Sequence, residues 1–214
     1  MSQVRPEVFD PQRIRTIPLA LRSNVEGMLQ DRIRKGVFER CHSSYRNPWF
    51  LVKKKVAGTY RIVTAAMKLN LVTIRDANIP PGADEFVEEF SGMPVMSLVD
   101  LFSGYDQLPL DERDRDMTAI QTPISLLRQT TILQGATNSI AQIQRVLEWI
   151  LQSIYGKKVR GYLDDLPIKG PKTIYNGEFS FPGVRRFVLE HIQNLDHTLY
   201  LLELAGMVIS AEKS

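Results

Sequence analysis

The sequence predicts an α+β fold with antiparallel hairpins. Three observations carry this expectation. Short β-favouring runs and amphipathic helical stretches interleave without the regular strand–helix alternation of a parallel sheet. Two pairs of runs are joined at turn-forming dipeptides, Ala57-Gly58 and Asp164-Asp165, as antiparallel hairpins are. At 214 residues, with 43% hydrophobic and 24% charged side chains, the chain has enough apolar surface for a core of one or two domains.

The elements follow in order. Residues 23–35 predict a first helix: Ser23 and Glu26 have capping-box spacing, Val25, Met28, Leu29 and Ile33 share a face, and Gly36 ends it. Residues 49–55 and 59–64 predict a hairpin. The segment 79–82, with Pro80, Pro81 and Gly82, predicts a break, and 84–90 a short helix stopped at Gly92. A buried strand is predicted over 95–102, interrupted by Gly104, and further strands over 117–122 and 129–133. A helix over 139–154 has Ile140, Ile143, Leu147, Ile150, Leu151 and Ile154 as its apolar stripe. The Asp164-Asp165 hairpin comes next. A long last helix over 184–205 is expected to bury Val188, Ile192, Leu195, Leu199 and Leu202 and to stop at Gly206.

Composition narrows the function classes. The formal charge of +3 and pI near 9.0 are mildly basic. The cations cluster, at Arg13/Arg15, Arg32/Arg34/Lys35, lysines 53–55, Lys157/Lys158/Arg160 and Arg185/Arg186, as residues lining a phosphate-tracking groove or a solvated face would. Cys41 is the single cysteine, which excludes an intramolecular disulfide and fits a reducing, intracellular compartment, cytoplasmic or nuclear. No stretch has membrane-spanning length, and no membrane partner is expected. His42, His191 and His197 lack metal-ligand spacing and read as structural or exposed.

The chemistry concentrates in carboxylates. Asp164 and Asp165 sit between two strand-like runs, Arg160-Gly161-Tyr162-Leu163 and Leu166-Pro167-Ile168-Lys169. Side chains alternate faces along a strand, so neighbouring aspartates serve one site only from a tight turn. An ordinary solvated surface turn is the alternative. Asp100 is the third acid, inside the apolar run Val95-Met96-Ser97-Leu98-Val99-Asp100-Leu101-Phe102; burial there is costly unless the charge is paired or coordinated.

These residues resemble the reverse transcriptase family. Tyr162-Leu163-Asp164-Asp165 matches its Tyr-x-Asp-Asp box. Val99-Asp100-Leu101-Phe102-Ser103-Gly104-Tyr105-Asp106-Gln107 is similar to its first catalytic motif. Gln134-Gly135-Ala136-Thr137-Asn138-Ser139 is similar to the segment that opens its following helix. Asn47-Pro48-Trp49-Phe50-Leu51-Val52-Lys53-Lys54-Lys55, Tyr60-Arg61 and Leu69-Asn70 resemble its fingers hairpin. The wording is nearest to gypsy-class LTR retrotransposons of fungal type. Leu133 stands where the family has proline, Ser125 where glycine is common, and Val56 where a polar turn residue is common. Pro167 falls in a strand, where it fits only an edge or bulge.

The resemblance implies the fingers and palm of a right-hand polymerase, with an antiparallel palm sheet backed by helices. The fingers would comprise about 1–75 and 108–131, and the palm about 76–107 and 132–214. It implies an RNA-directed DNA polymerase region of a retrotransposon polyprotein. Its partners would be an RNA or DNA template with primer, deoxynucleoside triphosphates, and a remainder carrying thumb, RNase H and integrase; thumb and RNase H are not recognisable within these residues. Asp100, Asp164 and Asp165 would be catalytic, and with the Leu101 carbonyl would hold two Mg²⁺ ions, or Mn²⁺. Lys54 and Arg61 would contact the triphosphate, Tyr105 would gate the sugar, and Gln134 and Gly135 would shape the nucleotide pocket. Tyr105 also suits a core position, and the lysines an edge strand. The alternative is a truncated, non-catalytic remnant or a domesticated nucleic-acid-binding module.

Overall fold

A computed structural model describes residues 17–54, 56, 58–78, 82–163, 165–211 and 214. In chain order they form α1 (Leu19–Arg34), β1 (Phe38–Arg40), β2 (Trp49–Lys53), β3 (Tyr60–Thr64), α2 (Met67–Val72), α3 (Ala83–Phe90) and β4 (Met96–Asp100). There follow α4 (Glu112–Arg115), β5 (Ile120–Gln121), β6 (Leu126–Gln129), α5 (Ser139–Ile150), β7 (Asp165–Lys169), β8 (Phe179–Phe181), β9 (Val184–Arg185) and α6 (Arg186–Leu204). Every strand pairing between these elements is antiparallel, as the α+β expectation requires.

The chain divides into two compact units. The first combines the described residues up to Arg75 with Leu108–Ser139; the second combines Asp76–Gln107 with Ile140–Ser214. Residues 132–139, placed with the palm half by the sequence, group with the first unit. The reason is packing and hydrogen bonding: Leu133 is buried with Ala66 and Leu69, and Asn70 ties the following backbone to α2.

In the first unit α1 covers two small sheets. Val25 and Leu29 are buried with Phe38, Ile62, Ile120 and Leu127, and Met28 and Ile33 pack at the margin. Burying each such side chain is worth about 1.5–3 kcal/mol. The helix begins four residues earlier than the capping-box spacing suggests. Pro18 precedes it, no side chain caps it, and Glu26 instead accepts from Arg22 Nε at 3.0 Å. Gly36, at φ +72°, closes it in the left-handed turn that glycine favours. One sheet has the order β1-β6-β5, the other is the β2–β3 hairpin. Strand β1 and helix α2 are too short to leave a period in the sequence. Of the strand expected at 117–122 only Ile120–Gln121 forms, and a 3₁₀ turn over Asp116–Thr118 takes the place of its start.

In the second unit the β4–β7 ribbon packs with α5 and α6. Val99, Leu101, Ile143, Leu147, Leu151, Leu166, Ile168 and Leu202 are all buried. Pro167 lies opposite Leu98, and its carbonyl accepts from Arg160 N–H at 3.4 Å on the other flank. Its missing donor therefore falls on that loose outer flank, not in the β4–β7 ladder. The face of α6 differs from expectation: Ile192 is 51% exposed, and the buried ridge is His191, Asn194, Thr198 and Leu202. Polar groups win there because the sheet offers partners. Asn194 Nδ2 donates to Lys169 O at 3.2 Å, and His191 Nε2 lies 2.8 Å from Ser97 Oγ.

Candidate active site

The acidic end of the β4–β7 ribbon is built from backbone outward. Strand β4 is flanked on both sides. Asp100 faces Asp165 across the ribbon. On its other side Ser210 N–H donates to Asp100 O at 2.8 Å and Phe102 N–H to Val208 O at 3.0 Å. The peptide groups of Asp100 thus point away from β7. Those of Asp165 are also turned outward, exchanging two hydrogen bonds with Tyr162 (2.9 and 3.1 Å). Asp100 and Asp165 therefore form a non-hydrogen-bonded pair, the kind in which Cα atoms approach to about 4.5 Å and side chains share one face. The exchange between Tyr162 and Asp165 also defines the tight turn that the Asp-Asp pair needs, with Leu163 held at φ +61°. Asp164 lies outside the described residues.

This pairing runs against simple electrostatics. Like charges directly opposite on a sheet destabilise it, and Asp100 is only 9% exposed. Two carboxylates set face to face at a ribbon end fit a divalent cation, whose hard oxygen ligation they match. Leu101, in an antiparallel bridge with Ile209, is buried; its own peptide groups turn from Ile209 toward the β7 flank, so its carbonyl is on the acidic side. Among the described residues no group of three or more His, Cys, Asp or Glu is placed to hold a metal ion.

The ribbon's far end is fixed by a partly buried ion network around the buried Lys169. Lys169 Nζ donates to the Glu89 carboxylate and to Gly156 O (2.9 Å), while Arg160 donates to Glu89 and, at 3.2 Å, to Glu85. Burial pushes the Glu89 carboxyl up, but the hydrogen bonds from Lys169 and Arg160 outweigh it and hold it below the ordinary glutamate value. At the acidic end, Tyr162 packs its ring on Phe86 of α3, centroids 4.7 Å apart. Tyr105 is half-buried in the 3₁₀ turn Gly104–Gln107 that follows β4.

The remaining candidates belong to the first unit. Lys54 and Arg61 are exposed on the β2–β3 hairpin, Arg61 opposite Val52, and Lys54 N–H donates to Thr59 O at 2.9 Å. Gln134 and Gly135 are exposed ahead of α5. Gly135 has φ +94° with open space where a Cβ would stand, so backbone conformation demands the glycine.

Two amides that the sequence quotes only as parts of motifs prove to hold these segments. Asn70 Nδ2 donates to Gly135 O at 3.0 Å, and Asn70 Oδ1 accepts from Thr137 N–H at 2.8 Å. Gln107 Nε2 donates to Phe102 O (2.7 Å) and Val208 O (2.9 Å), and its Oε1 accepts from Val208 N–H (2.8 Å). An amide that donates and accepts at once suits a backbone strut. Their places at the ends of two motifs are the only sequence signal for that role.

Comparison with known proteins places this fold in a family. Residues 52–214 match the family described as Reverse transcriptase (RNA-dependent DNA polymerase). The chain belongs to that family. It is 30% identical over 148 residues (67% of the chain) to the retrovirus-related Pol polyprotein from transposon 297 of Drosophila melanogaster. It is 25% identical over its whole length to that from transposon opus, and 26% identical over 89% of the chain to that from transposon gypsy, both of the same organism. The chain spans 14%, 20% and 17% of these three polyproteins. Among solved structures, a foamy viral protease-reverse transcriptase in complex with double-stranded DNA superposes with TM-score 0.77 at 22% identity, covering 95% of this chain and 33% of that one. The same viral protein in complex with an RNA/DNA hybrid gives TM-score 0.76 at 20% identity, covering 95% and 25%.

Proposed function

We propose that this chain is the fingers and palm of the RNA-directed DNA polymerase region of a gypsy-class retrotransposon polyprotein, and that it extends a primer along an RNA or DNA template. One observation carries the reading: Asp100 and Asp165 oppose each other as a non-hydrogen-bonded pair beside a tight turn. In the division of labour that follows, the first unit supplies the fingers and the second the palm. A fungal type rests on motif wording alone.

Asp100, Asp165 and, from its place in the motif, Asp164 are the proposed catalytic and metal-holding residues, with the Leu101 carbonyl as a further oxygen. Two Mg²⁺ ions, or Mn²⁺ in their place, would lower the charge barrier between primer hydroxyl and triphosphate. The carboxylates fix the polarity of the site, and their strands fix its position. Arg61 brings a planar fork to the triphosphate and Lys54 a point charge. Gln134 and Gly135 shape the nucleotide pocket on a loop that Asn70 holds. Tyr105 packs beneath the incoming sugar and excludes a 2′-hydroxyl. Deoxynucleoside triphosphates, a primer–template and the rest of a polyprotein are the proposed partners. The proposed setting is intracellular, where nucleotides are abundant and Cys41 stays reduced. No described helix is long and apolar enough to cross a membrane.

The test is primer extension on poly(A)/oligo(dT) with Mg²⁺, with an Asp100→Asn chain beside it. Extension by the parent and none by the variant supports the reading. Equal extension by both overturns it. No extension by either, with oligonucleotide binding retained, favours the non-catalytic module.

A further inference from the structure

Between β7 and α6 the chain makes a detour that the proposed polymerase chemistry does not use. It runs from Lys172 through a 3₁₀ turn at Tyr175–Gly177 into the β8–β9 hairpin. Phe179 and Phe181 are each 59% exposed at this hairpin, and Ile174 is 49% exposed beside it. Two phenylalanines held in solvent on an ordered element are an unfavourable arrangement unless something covers them.

The hairpin is braced. Pro182 and Gly183 make the turn, with Gly183 at φ +80°, the combination that suits the two central positions of a type II turn. Arg186 N–H donates to Glu178 O at 2.9 Å, and the Arg186 guanidinium pairs with the Glu178 carboxylate at 2.9 Å. The same guanidinium lies 4.2 Å from the centre of the Tyr175 ring, and Tyr175 O–H donates to Glu190 at 2.6 Å. The nearby acids are thus consumed in bracing. Arg185 is different: it is exposed, lies 5.9 Å from the centre of the Phe179 ring, and pairs with no carboxylate among the described residues. Across residues 171–186 the charges are Lys172, Arg185 and Arg186 against Glu178, three minus one, a net +2.

Exposed aromatic rings, with a guanidinium that lies over one of them and pairs with no described carboxylate, match one ligand chemistry well. Bases stack on such rings whatever their sequence, and the cation meets the phosphate that accompanies each base. A duplex hides its base faces, so the ligand must be single-stranded. From this geometry we infer that the β8–β9 hairpin is a stacking platform for single-stranded nucleic acid, separate from the carboxylate pair. Phe179 and Phe181 receive bases, Arg185 contacts the backbone between them, and Lys172 adds a weaker phosphate contact at the hairpin's base.

The test reads binding, so its result is independent of whether the chain polymerises. Fluorescence anisotropy of labelled oligo(dT) is measured with the full 214-residue chain at several salt concentrations. The double variant Phe179→Ala/Phe181→Ala should bind about tenfold or more weakly, since each stacked base contributes about 1–3 kcal/mol. Arg185→Ala should flatten the dependence of log affinity on log salt by about 0.7. Phe181→Trp should keep full affinity and show fluorescence quenching on oligo(dT) beyond that of the parent, whose Trp49 and Trp149 set the background. Absence of oligo(dT) binding by the parent overturns the inference, as does equal affinity of the double variant. A change in oligomeric state on the double substitution, with affinity for oligo(dT) unaltered, would assign the face to a protein contact and overturn it too.

Discussion

The two hairpin-like ribbons of this protein, β4–β7 and β2–β3, are both antiparallel pairs of five-residue strands, yet they hold their polar residues in opposite ways. In β4–β7 both edges are occupied, by residues 208–210 beside β4 and 158–160 beside β7. Its acids sit on strands that cannot shift without breaking neighbouring hydrogen bonds. In β2–β3 the cations Lys53, Lys54 and Arg61 stand in solvent. The hairpin is held chiefly by its inner face, where Ile62 is buried and Trp49 Nε1 donates to Gln121 O at 2.6 Å. A fixed ribbon suits groups whose spacing sets the chemistry. An exposed arm suits groups that must reach a mobile, charged ligand. The contrast predicts abrupt losses from substitutions in the first ribbon and graded ones in the second.

The largest effect should come from Asp100→Asn. Removing one preorganised charge at a reacting centre typically costs about 10²–10³ in rate, so primer extension should fall by at least that much while thermal unfolding stays cooperative. A variant retaining most of its extension would break the comparison at its root.

Next is Glu89→Ala at the far end of the same ribbon. It leaves Lys169, only 6% exposed, without its carboxylate. Stranding a buried charge costs about 3–5 kcal/mol, measurable by urea unfolding. The pH dependence follows from the depressed Glu89 carboxyl. Its folded-state value lies below its unfolded one, so its contribution is full above roughly pH 4.3 and is lost as pH falls through the folded value. The parent should therefore lose stability in acid more steeply than Glu89→Ala.

Gly170→Ala probes the close backbone approach beside β4, because an added Cβ would run into Val95 O and its side chain. Overpacking of this kind costs about 1–3 kcal/mol. Stability equal to the parent's would mean the ribbon is softer than its hydrogen bonding implies.

On the arm, Arg61→Ala should raise KM for deoxynucleotide about tenfold, with primer binding kept and unfolding free energy changed by no more than about 0.5 kcal/mol. A defect confined to primer binding would reassign Arg61. Asn70→Ala should have the smallest effect on nucleotide use, a rise in KM of less than about tenfold, together with about 1–2 kcal/mol of stability lost with its two hydrogen bonds.

Much of the fold is legible in the residues because local rules and tertiary packing agree there. The run ending at Asp100 forms its strand, though Met96 and Leu98 are about half exposed where a buried strand is expected. Of the stripe Ile140, Ile143, Leu147, Ile150, Leu151 and Ile154, Ile143 and Leu147 are buried within α5, and Leu151 and Ile154 just past its end. The glycines at 36, 92 and 206 take the left-handed turns that end helices. The misses occur where another partner, near or distant in the chain, overrides the expected signal. The capping box at Ser23 goes unused, since Glu26 pairs with Arg22 and the helix starts earlier. The buried face of α6 turns toward His191 and Asn194, because β4 and β7 offer Ser97 Oγ and Lys169 O to receive them.

The candidate site divides along the same line. Asp100 is visible as a charge within an apolar run, and the Asp164-Asp165 pair as adjacent acids between two strand-like runs. Asn70 and Gln107 are invisible as struts, because an amide's role depends on which backbone groups come within reach.

The sequence by itself determined the family and the order of the longer helices and principal strands, and it singled out the candidate acids, since each rests on residue type and spacing along the chain. Only the tertiary structure decided that Asp100 and Asp165 stand in a non-hydrogen-bonded pair. That register depends on hydrogen bonds to residues 162 and 210, and no local preference of either strand specifies them.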